Sequence, residues 1–289
     1  MIPDALSELL SATQGQRDAT WQGRSLLVIN DDWGELILSR HGGHLLHYAP
    51  AGERGWFWTT STPKAPPEAL RGGVPLCWPW FGEPEDGNGP MHGLARTAQW
   101  RIDAVDEDVE SGVEIHLSPE TQLHDTLAPR LVIHANAQRL AMELVTEHIG
   151  ETPIRLTQAL HAYFSVPDTH QCRIEGLGGA RYLDKLADYA EAEQNGVLGI
   201  RGALDRIHHS SRPLVLDDGH RRLRIAKQGS DSTVVWHPGD KLPGDVPERE
   251  RLNFICIEPA CTRLDPVWLA PGAQHVLSMH ISPESPAQE

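Results

Sequence analysis

The sequence predicts an all-β protein, a large antiparallel β-sandwich with one short helix at its amino terminus. Three observations carry that expectation. Helical periodicity is confined to the first dozen residues, short alternating or β-rich runs recur from there onward, and clusters of glycine, proline, aspartate and asparagine separate them. The period of two is clearest where Val113, Ile115 and Leu117 alternate with Glu114, His116 and Ser118. Meanders without intervening helices pair antiparallel and bury one face against a second sheet.

Taken in order, Asp4 to Ala12 reads as an amphipathic helix with Leu6, Leu9 and Leu10 on one side and Asp4 as its cap. Strands are then expected at Ser25 to Asn30, Glu35 to Ser39, Trp56 to Thr59, Gln99 to Val105, Gly112 to Ser118, Arg130 to Ala137 and Leu140 to Ile149. They continue at Ile154 to Val166, Gln171 to Leu177, Arg212 to Leu216, Arg222 to Gln228, Thr233 to His237, Leu252 to Ile257 and His275 to Ile281. No repeat or long linker divides the chain, so residues 1–20 are assigned to a helical segment packed on one domain, 21–282 to that domain, and 283–289 to a frayed tail.

A net charge of −15 argues against nonspecific nucleic-acid or anionic-membrane binding, both of which need a basic face. Only four of the 25 basic residues are lysine, so anion recognition must be sought among the arginines. Cys77, Cys172, Cys256 and Cys261 lack the paired spacing of a metal site and are too sparse for a disulfide scaffold. With no leader pattern and no apolar run near the ~20 residues that span a bilayer, a cytoplasmic protein is expected.

The densest chemistry lies between Arg71 and Trp100, where two arginines, a histidine, paired glycines and three of the nine tryptophans share thirty residues. Glycines admit close backbone approach, indole faces suit the apolar faces of a pyranose, and guanidinium forks match a phosphate. That composition reads as a sugar-phosphate pocket. Arg71 and Arg96 are the candidate phosphate ligands, and Trp80 is a candidate wall, although aromatic residues in a sandwich more often fill the core.

Strand parity supplies two further candidates. In an extended Arg155 to Val166, Leu156, Leu160, Phe164 and Val166 share one face, leaving Thr157, Ala159, His161 and Tyr163 on the other. Glu258 ends the β-rich run LNFICIEP on the face of Leu252, Phe254 and Cys256, where partial desolvation would raise its proton affinity. By spacing alone, His161 is a structural or surface residue among sixteen histidines, and Glu258 turns outward as the strand stops before Pro259.

Several ordered motifs tip the balance. Arg71-Gly72-Gly73-Val74-Pro75, Trp78-Pro79-Trp80-Phe81-Gly82 and His92-Gly93-Leu94-Ala95-Arg96 resemble the signature of the hexose-6-phosphate mutarotases, or glucose-6-phosphate 1-epimerases, of the aldose 1-epimerase superfamily. LTQALHAYF, YLDKL, TVVWHPGDK and CIEPA follow in the matching order, from Leu156 to Ala260. The resemblance implies a galactose-mutarotase-like sandwich, with His161 as general acid, Glu258 as general base and Arg71 and Arg96 on phosphate. It further implies His92 near the ring or anomeric oxygen and Asp184 on sugar hydroxyls. A loop histidine bonded to the Asn88 to Pro90 turn and a surface Asp184-Lys185 pair are the structural alternatives. The chain departs from the pattern at His237, where asparagine is usual, and at Ala203-Leu204, where an acidic residue is frequent.

The reaction so implied, interconversion of α and β anomers, needs one acid and one base and no metal or other cofactor. The expected partner is a hexose 6-phosphate, glucose 6-phosphate first, bound by a monomer. Two rivals stay open: an epimerase of free aldoses, and a noncatalytic sugar-phosphate-binding sandwich. A zinc enzyme using His92, His161 and Glu258 lacks any HExxH or CxxC spacing.

Overall fold

In the computed structural model, which describes residues 2–85, 87–108 and 112–285, antiparallel strands make up nearly all of the regular structure. The larger sheet orders Leu198–Gly199, Arg173–Glu175, Leu214–Asp217, Arg222–Gln228, Gln274–Pro283, Leu140–His148, Leu127–Ala135, Gly112–Pro119 and Trp100–Asp108. The smaller one orders Ala190–Glu193, Arg181–Asp184, Leu204–His209, Ser232–His237, Phe254–Cys261, Gln158–Leu160 and Leu76–Cys77, with Tyr163–Ser165 also paired to Phe254–Cys261. A four-stranded sheet runs Gly15–Trp21, Arg24–Asp31, Gly34–Ser39 and His44–Pro50.

Alternation explains how these sheets share a core. Val113, Ile115 and Leu117 point inward, as their period of two requires, and meet Leu160, Phe164, Val235, Ile255 and Ile257 of the smaller sheet. The strand Phe254–Cys261 is buried on both faces. Ile255 and Ile257 join the inter-sheet core, while Phe254 and Cys256 pack with Trp58, Tyr163 and Val246 on the outer face. Ala260 joins a neighbouring outer cluster with Cys77, Ala159, Ile207 and Val234. Glu258 lies between these two apolar clusters in the parity of the strand.

Three expectations need correction. The helix spans Asp4–Ser11, but Pro3 is its N-cap and no side chain caps it; Asp4 sits in the first turn. The helix is held by Leu6 and Leu10, buried against Trp21, Leu26, Val28, Ile37 and Leu46 of the four-stranded sheet. Second, residues 154–166 are not one strand but Ile154–Leu156, Gln158–Leu160 and Tyr163–Ser165, interrupted at His161 and Ala162. The Ala162 N–H turns back to Leu160 O at 2.9 Å, which makes the kink. Third, the strand bearing Glu258 does not stop before Pro259 but continues to Cys261.

Proline is tolerated there for a specific reason. The Ile257 N–H donates to Ala162 O, so position 259, two residues on, would aim its own N–H toward the same neighbouring segment. That is where the neighbour kinks at His161, and a residue lacking an N–H costs no ladder bond. The same interruption that accommodates Pro259 lets the His161 side chain meet Glu258.

Candidate active site

His161 and Glu258 come together on the outer face of the smaller sheet. Nδ1 of His161 lies 3.4 Å from Oε1 of Glu258, with the two side chains 10 % and 1 % exposed. Burial pushes the Glu258 carboxyl well above the usual carboxylate range; the Asp205 charge adds to this and Lys185 opposes it. Burial, followed by His92, Arg96 and Arg71, holds His161 well below the usual imidazole range. Both shifts favour a neutral pair, in which one proton resides on the carboxyl and the imidazole is free to accept it.

Aromatic rings enclose the pair. Tyr163 stacks on His161 with centroids 4.8 Å apart and planes 9° apart, as expected for residues i and i+2 on one face. Trp236 stands edge-on to His161 at 6.3 Å and is only partly buried. His92 meets His161 at 5.5 Å in a T-shaped contact.

The loop carrying His92 is built by backbone constraints. His92 itself has φ of 64°, and the next residue, Gly93, has φ of 79°. A Cβ on Gly93 would fall 2.1 Å from the Trp78 carbonyl oxygen, so only glycine fits the approach of this loop to the Trp78-Pro79 segment. The Gly82 N–H donates to Nδ1 of His92 at 3.1 Å, and the His92 N–H donates to Gly82 O at 2.7 Å. These two bonds tie His92 to Gly82. With Nδ1 accepting, the proton is assigned to Nε2. Burial, aided by Arg96, Lys185 and Arg71, lowers the pKa of His92 to about 3, so this ring is a neutral donor.

The charge of each candidate phosphate arginine lowers the proton affinity of His161 and His92. Arg71 donates from Nε to Asp245 Oδ1 at 2.9 Å and from Nη1 to the Tyr163 hydroxyl at 3.1 Å. Burial works against its charge, but Tyr163 and Asp245 outweigh it and raise the Arg71 pKa. Arg96 donates from Nη2 to Met91 O at 2.5 Å. Each guanidinium has five N–H donors, so these bonds leave donors on both for an anion.

Asp184 lies on the other face of the sheet, and Trp80 lines an adjoining cavity. Asp184 accepts from the Leu186 N–H at 3.0 Å and pairs through Oδ2 with Arg206 Nε at 3.1 Å. Arg206 alternates with Asp205 and Ile207, and Ile207 packs with Val234 and Ala260 on the outer face; Arg206 and Asp184 therefore belong to the opposite face from Glu258. The acidic side chain facing the site is Asp205, which pairs with Lys185 Nζ at 2.9 Å. Trp80 donates from Nε1 to Pro90 O and lines a cavity of about 720 Å³ with Phe81, Thr157, Lys185 and Tyr189. His161 and Glu258 are not in that lining. The cavity adjoins the pair through Phe81, 5.0 Å from His92, and through Lys185.

Sequence reasoning missed Asp205, Lys185 and Asp245. Cross-strand register places Asp205 opposite Trp236 and Trp236 opposite Cys256, a relation no local pattern reveals. Tyr163 was accessible by parity with His161. The unusual His237 lies outside the site: Nε2 donates to Arg251 O at 3.0 Å and Nδ1 accepts from the Gly239 N–H at 3.1 Å.

Comparison with known proteins places the chain among sugar epimerases by sequence and fold. The family model described as aldose 1-epimerase matches residues 25–282. A protein of Escherichia coli (strain K12) named "Putative glucose-6-phosphate 1-epimerase" is 32 % identical over 246 residues, covering 81 % of this chain and 82 % of the relative. One of the same name from Cenchrus ciliaris is 28 % identical over 300 residues, covering 94 % and 86 %. Among solved structures, a Salmonella typhimurium protein described as a "putative mutarotase" superposes with a TM-score of 0.88 at 25 % identity, over 98 % of this chain and 100 % of that one.

Proposed function

Because the chain belongs to the aldose 1-epimerase family, we propose that it interconverts the α and β anomers of hexose 6-phosphates, with His161 and Glu258 exchanging the protons. The observation that carries this reading is the 3.4 Å approach of a buried imidazole to a buried carboxyl. Transfer of the carboxyl proton from Glu258 to Nδ1 of His161, across an approach of 3.4 Å that is not a hydrogen bond at rest, leaves the net charge of the pair unchanged and arms it as carboxylate and imidazolium. The carboxylate then takes the proton of the anomeric hydroxyl while the imidazolium protonates the ring oxygen. The C1–O5 bond breaks and the open-chain aldehyde forms. Rotation about C1–C2 and reversal of both transfers close the ring on its other face, with no proton left over.

The surrounding residues fit supporting roles. His92 Nε2–H is a neutral donor suited to an oxygen near the anomeric carbon, and Arg71 and Arg96 supply charge-assisted donors for the phosphate. Asp205 is better placed than Asp184 to receive sugar hydroxyls. The rival, an epimerase of free aldoses, draws support from the partners that Arg71 and Arg96 already have in Asp245, Tyr163 and Met91 O. Four buried cysteines free of disulfides suit a reducing compartment such as the cytoplasm, and we assign the protein there. Among the described residues no helix is long and apolar enough to cross a membrane.

Anomer-exchange NMR tests the reading. Catalytic amounts of protein should accelerate exchange for glucose 6-phosphate well beyond that for free glucose or galactose. Equal acceleration of both would transfer the assignment to free aldoses, and none for either would leave only a binding protein.

A further inference from the structure

Below the His161–Glu258 pair lies a third side chain, Cys256, which the proton transfer does not use. It precedes Glu258 by two residues on one strand and so shares its face. One ligand-type atom from each of His161, Cys256 and Glu258 lies within 4.8 Å of the others. Cys256 is fully buried and Glu258 nearly so. Neither Nδ1 of His161 nor Oε2 of Glu258 has a hydrogen-bond partner. Buried polar atoms left unpaired in this way call for a ligand.

The donor set is selective. Thiolate, imidazole and carboxylate together suit zinc and its neighbours; magnesium and calcium prefer oxygen alone. Ligand bonds of about 2.0 to 2.3 Å around a tetrahedral centre put donors roughly 3.3 to 3.8 Å apart, so the group need contract only by about 1 Å. His92 does not belong to the set, because its Nδ1 already accepts from Gly82.

We infer that His161, Cys256 and Glu258 form a binding site for a thiophilic divalent cation of the zinc class, and that the cation, when bound, blocks anomer exchange. Binding displaces the thiol proton of Cys256 and the carboxyl proton of Glu258 to solvent. It occupies the base and the acid at once, so the sugar and the cation exclude each other. The inhibitory half rests on the proposed roles of His161 and Glu258; the binding half does not.

The test uses purified full-length protein freed of metal, with Co²⁺ as the spectroscopic probe and Zn²⁺ as the inhibitor. One equivalent of Co²⁺ should give a thiolate-to-metal charge-transfer band that saturating glucose 6-phosphate abolishes. One equivalent of Zn²⁺ should slow anomer exchange by about 100-fold or more, as loss of an acid–base group does. Cys256→Ala should keep the basal exchange rate, lose the band and need at least about 10- to 100-fold more Zn²⁺ for the same inhibition, the range for disturbing even an outer partner of a ligand. No band in the wild type, or Cys256→Ala as sensitive to Zn²⁺ as the wild type, overturns the site. If that variant does not fold, the wild-type band and its displacement by sugar phosphate decide the matter alone. A thiolate band with undiminished exchange keeps the cation site and overturns the inhibition, together with the catalytic reading of the pair.

Discussion

Replacing Glu258 with glutamine should separate what the fold wants from what the reaction needs. The carboxyl is 1 % exposed, and burial together with the Asp205 charge raises its pKa well above 4.5. The unfolded chain therefore ionises this group from its ordinary value upward while the folded chain keeps it protonated. A raised carboxyl pKa lowers stability as pH rises above 4.5, and the deficit grows until pH reaches the folded value. Glutamine has the shape of the protonated acid and does not titrate, so the deficit disappears. At pH 7.5 the variant should melt higher, by on the order of 1 kcal/mol, the usual gain from relieving a functional residue. The same change removes the base and should slow exchange by about 100- to 10,000-fold, or roughly 3 to 5 kcal/mol of barrier. Thermal unfolding monitored by circular dichroism at pH 5 and 7.5, beside anomer-exchange NMR, reads both quantities. The stability gain should shrink at pH 5, where less of the unfolded-state carboxyl is ionised. A variant that is less stable at both pH values, or that turns over at the wild-type rate, refutes the reasoning.

Asp205→Asn removes a charge that favours protonated Glu258, so the alkaline limb of the pH–rate profile should move to lower pH; an unmoved limb would break the electrostatic link. Acid should unfold the protein early, because His44 and His92 have pKa values lowered to about 3 and His208 to about 4, mainly by burial. Their contribution is intact above the unfolded value and declines as pH falls below 6.5. By pH 5 each has lost about 2 kcal/mol, a fall that urea titrations at the two pH values would measure. Gly93→Ala adds a Cβ 2.1 Å from Trp78 O at φ of 79° and displaces the His92 loop. It should depress exchange more than tenfold, and a fully active variant would contradict the role given to His92.

The all-β architecture and the outward face of His161 were legible because parity is a local property. Leu156, Leu160 and Phe164 line the inter-sheet core as their alternation predicts. Glu258 was legible as partly desolvated, yet its burial is complete because the strand passes beyond Pro259, which required knowing that the neighbouring segment kinks. Strands such as His44–Pro50, Leu204–His209 and Arg181–Asp184 escaped notice: the first is buried at every position and the last two carry charges on both faces. Asp184 resembled a sugar ligand by its motif, but the motif does not specify the face. Pairing with Arg206 turned it away and left Asp205 toward Glu258. Long-range register, which sequence periodicity does not encode, accounts for most of what was missed.

The decisive measurement is the anomer-exchange rate of glucose 6-phosphate in His161→Ala, Glu258→Gln and the double variant, at one pH. If the two side chains share a single working proton, either substitution alone should abolish nearly all catalysis and the double variant should be no slower than the worse single one. Losses that multiply in the double variant would mean that the two groups act independently, contrary to a shared proton.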